Sequence, residues 1–433
     1  MSTPIWRKEI RVPFVFAAAA LGVIIGTFAT AQDADKAPPD LSKDKIVDGF
    51  PASLQPWRDP DDPLVQRINK DWDFYFTRRD RSNDPKREPG PISLQRYAAV
   101  SGINGFPTFM GLPVALSKED LVAGKVDVAY VGLPSGFQPT GGTQWAANQM
   151  RMIRSYDHGE SGHDMHLNID YFDVLKVVDY GNGNQNPVMM MRNFADQALL
   201  LRDVLQAGAI PLVMGGDHGT QVASLMALVD HYGPQSFAVV HFDAHFDYED
   251  PGKTFGQFTH GARARRYAHE QGWVKGEDLH SIGTRSPYHS RKLLEWVRKI
   301  GDRYHYMAEF EKSGFEKVWG RIKNELKGKK LYISVDIDVL DTAHVPGTSN
   351  PEPGGLNAIQ MLTMLRGLAI QNEVILIDFC EYTPLLDDRH YNTALMINRM
   401  MRAFLAGTAA RKQGITDPDY IAPGILDHGR DEK

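Results

Sequence analysis

From Lys125 onward the chain alternates between two hydrophobic patterns. Short, nearly continuous runs of Val, Ile, Leu and Phe recur as VDVAYVG from Val126, AIPLVMGG from Ala209, SFAVVHFD from Ser236, DLHSIGT from Asp278, LYISVDID from Leu331 and VILIDFCE from Val374. A strand with one face in water alternates apolar and polar residues. Runs without that alternation predict parallel strands covered on both faces. Between them, ADQALLLRDVLQAG, TQVASLMALVDHYG, SRKLLEWVRKI and NAIQMLTMLRGLAI carry apolar residues at three- and four-residue steps, the period of helices with one buried face. This alternation predicts an α/β fold, a three-layer α/β/α sandwich around a mostly parallel sheet. No period of solenoid or propeller type recurs.

The region before this pattern reads differently. Val12 to Ala31 is uncharged and apolar, follows Arg7, Lys8 and Arg11, and ends in Ala29-Thr30-Ala31, a small-x-small step of the kind signal peptidases cut. It is also close to the ~20 residues that span a bilayer, so two readings stand: a cleaved export signal or an uncleaved N-terminal anchor. Either puts the protein outside the cytoplasm or on a membrane through residues 12–31. Residues 32–91 are charge-mixed and proline-rich, a linker and arm with little core of its own. Within them KDWDFYFTRR is aromatic enough to pack on the parent domain or a neighbouring subunit. The catalytic domain is assigned to residues 92–433.

Composition narrows the function classes. Lys and Arg total 48 against 54 Asp and Glu, a net charge of −6, which gives nucleic acid no electrostatic footing. The one cysteine, Cys380, excludes intrachain disulfides and thiolate metal clusters. It ends an apolar run and reads as a small buried hydrophobe.

Polar residues gather where the predicted strands end, the edge at which open α/β sheets bind ligands. GGDHG spans Gly215 to Gly219, DAHFD spans Asp243 to Asp247, and DID spans Asp336 to Asp338. In Asp-x-His-x-Asp and Asp-x-Asp, alternate residues of an extended strand end leave on the same side. His218 adds an imidazole. Four aspartates and two histidines offer oxygen and nitrogen ligands without sulfur, and two divalent cations would balance four negative charges; Mn²⁺ suits the set, and Ni²⁺ is a second choice. Two such cations sharing a water lower its pKa, so the implied chemistry is hydrolysis.

GGDHG, VVHFDAHFD, THG at Thr259 to Gly261, SVDIDVLDTAHVPGTSNPEPGGL and CEYTP, in this order over Ile103 to Ala406, resemble the ureohydrolases, the arginase and agmatinase family. The resemblance implies an arginase-like fold and a two-ion centre built from His218, Asp243, His245, Asp247, Asp336 and Asp338. It also implies a proton-shuttling His260, a guanidinium-binding Glu381, and Asp247 as the proton carrier to the departing amine. Its substrate would be a small guanidino compound cleaved to urea and an amine, and its assembly a trimer or hexamer. A metallophosphatase is excluded because Gly-Asn-His and Gly-His-x-His segments are missing. A non-catalytic polyamine or guanidine binder on the same fold, and a formimino or amidino hydrolase, are the other readings.

Within the family, FDYEDPGKTFGQFTHG lacks the segment with which arginases recognise an α-amino acid, and FPTFMGLP from Phe106 points to the agmatinase and guanidinobutyrase branch. GLPSGFQPTGGTQWAANQMR, HGARARR and Ser349-Asn350 depart from that branch. Arg263 or Arg265 is placed to meet a substrate carboxylate, Glu249 or Asp250 an ammonium, and guanidine itself needs neither. His241 and Asp217 read as groups that orient the ligands, and Asp341 as the residue fixing the loop after Asp338. His158, His163 and His166 are placed on a loop at the rim of the site.

Overall fold

The computed structural model describes residues 46–47, 50–51, 87–94, 106–136, 146–156, 162–185, 190–249 and 263–425. The apolar segment at residues 12–31, the aromatic KDWDFYFTRR, His158, Asp250 and His260 lie outside them. No helix among the described residues is long and apolar enough to cross a membrane.

Eight strands form one sheet: β1 (Val128–Leu133), β2 (Val177–Asn182), β3 (Ile210–Gly215), β4 (Ala238–Phe242), β5 (Leu279–Ile282), β6 (Arg303–His305), β7 (Lys330–Asp336) and β8 (Glu373–Cys380). Their order is β6-β5-β4-β7-β8-β3-β1-β2, and every pairing is parallel. All six strands expected from the apolar runs are present. β2 and β6 were missed, because VVDYGN and RYH at the sheet edges are too short or too polar to stand out as apolar runs. Two short antiparallel pairs, Ile46–Val47 with Phe50–Pro51 and His163–Asp164 with Ile169–Asp170, lie outside the sheet.

Among the described residues, seven helices have ten or more residues: α1 (Ala146–Ser155), α2 (Met190–Gln206), α3 (Thr220–Tyr232), α4 (Arg291–Ile300), α5 (Phe315–Leu326), α6 (Ala358–Gln371) and α7 (Asn392–Lys412). They divide between the two faces of the sheet, as the alternation along each strand dictates. Val128, Tyr130, Val240, Ile333 and Val335 pack with α1, α5, α6 and α7, whereas Ala129, Val131, Val239 and Tyr332 pack with α2, α3 and α4. Each fully buried aliphatic side chain contributes roughly 1.5–3 kcal/mol, which is why neither face can carry the polar alternation of an exposed sheet. The result is the expected three-layer sandwich.

The chain order places the site. Two strands, β7 and β8, stand between β4 and β3 in the sheet, although both come later in the chain. Asp336 is in register with Cys380, Val335 with Phe242, and Phe379 with Met214. The carboxyl ends of β4, β7, β8 and β3 therefore open side by side.

The assigned arm ends at Pro91, and its last residues are fastened to the domain. Wholly buried Asp120 accepts hydrogen bonds from Arg87 Nη2 through both oxygens (2.7 Å each), from Gly90 N (2.7 Å) and from Leu116 N (2.8 Å). Burial pushes this carboxyl up, but Gly90 N, Arg87 and Leu116 N outweigh it and hold the group below the usual carboxylate range. Asp120→Ala should cost about 2–3 kcal/mol in denaturant unfolding, the cost of stranding charged and backbone donors, and should expose residues 87–94 to proteolysis. Because the folded pKa is lowered, the wild-type contribution is complete above the unfolded value near ~4 and is lost as pH falls through the folded one. The variant should lack that acid dependence.

Candidate metal centre

The turn after β3 carries the first imidazole. A Cβ on Gly216 would lie 1.7 Å from Ser135 O, so only glycine lets the turn pass there. Ser135 O accepts from Asp217 N (3.2 Å), and Asp217 Oδ1 accepts from Ser135 Oγ (2.7 Å) and Gly219 N (3.1 Å). Asp217 thus shapes the turn, in line with its expected role. His218 Nε2 stands 2.9 Å from Ser334 Oγ, which leaves Nδ1 facing Asp247 Oδ2 (3.1 Å), Asp243 Oδ2 (3.2 Å) and Asp336 Oδ2 (3.4 Å).

The expected same-side projection of an extended strand end is not how the aspartates converge. β4 ends at Phe242 and β7 at Asp336, and the chain then folds back on its own carboxylates. His245 N donates to Asp243 Oδ1 (2.5 Å), Asp338 N to Asp336 Oδ1 (3.0 Å), and Ala244 N to Asp338 Oδ1 (3.0 Å). One oxygen of each aspartate is tied to backbone and the other points inward. His245 Nδ1 then lies 3.0 Å from Asp338 Oδ2 and 3.3 Å from Asp243 Oδ1.

All six residues expected as ligands are brought together. His218, Asp243 and Asp247 offer donor atoms within one small volume, joined by His241, while Asp243, His245 and Asp338 form a second such group. Asp243 belongs to both. His241 is fully buried, with Nε2 2.8 Å from Asp243 Oδ2 and its ring stacked on His218.

Whether this arrangement suits cations is decided by its unsatisfied atoms. His218 Nδ1, His241 Nε2 and Asp243 Oδ2 are buried without a hydrogen-bond partner, although they crowd together. Buried polar atoms are normally bonded, and donor atoms that converge without bonding one another are placed as ligands are around an ion. Electrostatics agrees. Burial, then Asp338 and Asp243, drive the Asp336 carboxyl well above its ordinary range, and burial and Asp243 raise Asp338. His245 is pushed up to about 12: burial opposes this, but Asp243 and Asp338 outweigh it. The crowded carboxylates thus favour positive charge beside them.

Glu381 follows β8 directly, at φ 65°, in the left-handed region. Its N–H donates to Gly216 O (2.8 Å), and its Oε1 accepts from His218 N (2.8 Å). Burial and then the Asp217 charge push its carboxyl up to about 8. Ser349 Oγ lies 3.5 Å from Oε2. Asp247 also has positive φ, at 48°.

Several expectations need correction. Arg265 is wholly buried, donating to Tyr248 Oη (3.0 Å), Ser281 Oγ (2.9 Å) and Phe246 O, so it braces the loop behind Asp247 rather than meeting substrate. Arg263 is nearly buried and paired with Glu270 (3.1 Å). His163 and His166 are not at the rim: their hairpin packs on α7, and His166 O accepts from Ala422 N. Asp341 does fix its loop, accepting from Ala343 N, Gly354 N and Gly355 N, and Cys380 is fully buried. Sequence reasoning missed Ser334, although it stands two residues before Asp336 on the same strand face. Arg285, whose guanidinium donates to the backbone carbonyls of Gly283, Asp338, Val339, Leu340, Glu352 and Pro353, left no sequence signal.

Fold and site together describe an α/β protein with an acidic, imidazole-containing cluster of candidate metal ligands at the strand ends. The sequence matches the Arginase family over residues 126–407, and the chain belongs to that family. It is 33% identical over 300 residues to proclavaminate amidinohydrolase of Streptomyces clavuligerus, an alignment covering 67% of this chain and 88% of the relative. Guanidinopropionase of Pseudomonas aeruginosa is 30% identical over 293 residues, covering 66% and 85%. The crystal structure of a hypothetical agmatinase from Burkholderia thailandensis superposes with a TM-score of 0.63 at 25% identity, covering 76% of this chain and 100% of the other.

Since the buried carboxylates repel one another without cations, stripping divalent metal should destabilise the native state. At about 100 times Kd a ligand adds about 2.7 kcal/mol per site, and for a chain of this size two sites should raise the melting temperature by roughly 5–10 °C. Differential scanning calorimetry of chelator-treated protein, with and without Mn²⁺, checks this; coincident transitions would contradict a metal centre.

Proposed function

We propose that the protein is a dinuclear-metal ureohydrolase that cleaves the guanidino group of a small substrate, agmatine, 4-guanidinobutyrate or guanidine. The observation that carries this is the convergence of four aspartates and two histidines beside a buried, strand-end glutamate. His218, Asp243, Asp247 and Asp336 would hold one ion and Asp243, His245 and Asp338 the other, Asp243 serving both because its two oxygens face the two groups. When bound, two such ions lower the pKa of a shared water and make hydroxide available at neutral pH. The oxygen-rich donor set supports Mn²⁺, with Ni²⁺ second.

The chain's own residues supply recognition and proton handling. Glu381 receives the planar guanidinium through paired N–H donors, a match that carboxylates make well. Its buried setting strengthens that attraction and would hold the guanidinium beside the aspartates and histidines of the cluster. Water adds to the guanidinium carbon, the bond from that carbon to the substituted nitrogen breaks, and the oxygen leaves in urea. The departing nitrogen needs a proton, which Asp247 is proposed to carry, and His260 is proposed to exchange protons with solvent. For guanidine the departing amine is ammonia.

The apolar residues 12–31 support export or membrane anchoring, so the reaction is proposed to take place outside the cytoplasm. A trimer or hexamer is the proposed assembly, from the family resemblance.

Urea release measured with agmatine, 4-guanidinobutyrate and guanidine on Mn²⁺- and Ni²⁺-loaded protein tests the function. Urea from at least one is expected; none from any, or formamide in its place, overturns the assignment. Asp243→Ala should abolish turnover and tight metal retention together. Glu381→Gln should lower kcat/KM by roughly 10²–10³, the loss of about 3–4 kcal/mol of charge-assisted contact. Since guanidinium stays protonated and only ionised Glu381 attracts it, wild-type kcat/KM should fall as pH drops through the titration of Glu381, and Glu381→Gln should lose that limb.

A further inference from the structure

His245 differs from the other imidazole of the centre in how its outer nitrogen is held. The Nε2 of His218 meets Ser334 Oγ at 2.9 Å. His245 presents Nδ1 to Asp243 and Asp338, while its Nε2 is buried and has no hydrogen-bond partner. The nearest carboxylate oxygen is Glu352 Oε1, at 3.9 Å. That gap is longer than a hydrogen bond, and a small torsional change of a glutamate side chain closes it.

Glu352 is not a loosely placed rim residue. Its backbone carbonyl accepts from Arg285 Nη2 at 2.6 Å, and the same nitrogen donates to Asp338 O at 2.7 Å. One guanidinium therefore staples the loop of Glu352 to the loop of Asp338, the two residues that face opposite nitrogens of the His245 ring. Gly355 completes the fit, since a Cβ there would lie 2.6 Å from Arg285 Nη2 and from Asp341 N. Tyr288 stacks over the ring with centroids 6.0 Å apart and planes 10° apart. Tyr288 thus flanks one face of the ring, and Glu352 faces its outer nitrogen.

We infer that Glu352, held by Arg285, is a positioning residue for His245: its carboxylate accepts the Nε2 proton, fixes the tautomer whose Nδ1 carries the lone pair, and so sets affinity for the second cation. This rests on the two-ion reading proposed above. A carboxylate behind a ligating imidazole fixes its orientation and raises its basicity, and losing such a partner typically costs 10–100-fold in metal affinity.

The test is metal stoichiometry and affinity on the full chain. Apo protein is titrated with Mn²⁺ and bound ion counted by elemental analysis after equilibrium dialysis, for wild type, Glu352→Leu, Glu352→Gln and His245→Ala. Wild type should bind two ions per chain, and His245→Ala should lose the second while keeping the first. Glu352→Leu should weaken only the second ion, by 10–100-fold, with the apo melting temperature unchanged. Glu352→Gln, whose amide oxygen still accepts from Nε2–H, should recover part of that loss. If wild type fails to bind two ions, the two-ion reading itself fails. If wild type and His245→Ala behave as stated but Glu352→Leu binds both ions as tightly as wild type, or weakens both equally, the role of Glu352 is overturned. A Glu352→Leu change confined to KM for substrate overturns it as well.

Discussion

The structure turns on a concentration of negative charge at the dry end of a sheet. Asp243, Asp247, Asp336 and Asp338 crowd around two imidazoles, and all but Asp247 are almost wholly buried. Two like charges about 4 Å apart repel by roughly 4 kcal/mol at an effective dielectric constant near 20, so four ionised carboxylates cannot be held there without compensation. Backbone supplies the first part of it. Asp243, Asp336 and Asp338 each bind a backbone N–H through Oδ1 and turn Oδ2 inward. The second part must be positive charge, as protons on His245 and Asp336 or as cations.

That requirement explains why the strands are arranged as they are. Parallel strands end with carbonyl groups and loops on one edge, and the long excursion from β3 to β4 leaves space that β7 and β8 fill. Three loops bearing the ligands and the one bearing Glu381 then rise from four adjacent strands. The scaffold beneath is aliphatic on both faces, so the loops stand on a rigid, water-free base. Braces lie outside the ligands: Arg265 holds the loop after β4 through Tyr248, Ser281 and Phe246, and Arg285 holds the loop after β7 through backbone carbonyls. Both arginines serve geometry and are occupied in doing so.

What could be read from the sequence follows from the range of the interactions. The six central strands and four helices are local patterns of apolar spacing, and they were legible. The six candidate ligands were legible because strand-end aspartates and histidines after apolar runs are costly unless they serve a purpose. The positions of Arg265 and the His163–His166 hairpin were not, since charge type says nothing about which tertiary neighbour a long side chain meets. Arg265 looked available to a substrate carboxylate and is instead buried against Tyr248, with its guanidinium carbon 4.1 Å from the ring centroid. Ser334 was hidden by its setting, a small polar residue inside a run that reads as core. The mechanism of convergence was also misread. Period-two projection predicts the right residues, but the tight turns that do the work depend on Oδ1 bonds that only the folded chain reveals.

Two residues of the candidate site, Asp247 and Glu381, are held at positive φ. A left-handed, non-glycine conformation persists only where the surroundings over-determine it. At Glu381 the cause is visible: its N–H must reach Gly216 O while its Oε1 reaches His218 N, and only a reversed backbone meets both. Glu381 is thereby bonded to the residue that carries the first imidazole. A substrate cation that draws on Oε1 competes with His218 N for the same oxygen, whereas one that uses Oε2 does not. Oε2 lies 3.5 Å from Ser349 Oγ, so it is the oxygen turned toward the loop in which this sequence departs from its branch. A change at Ser349 therefore acts on the Oε2 side of the Glu381 carboxylate without touching the aspartates and histidines of the cluster.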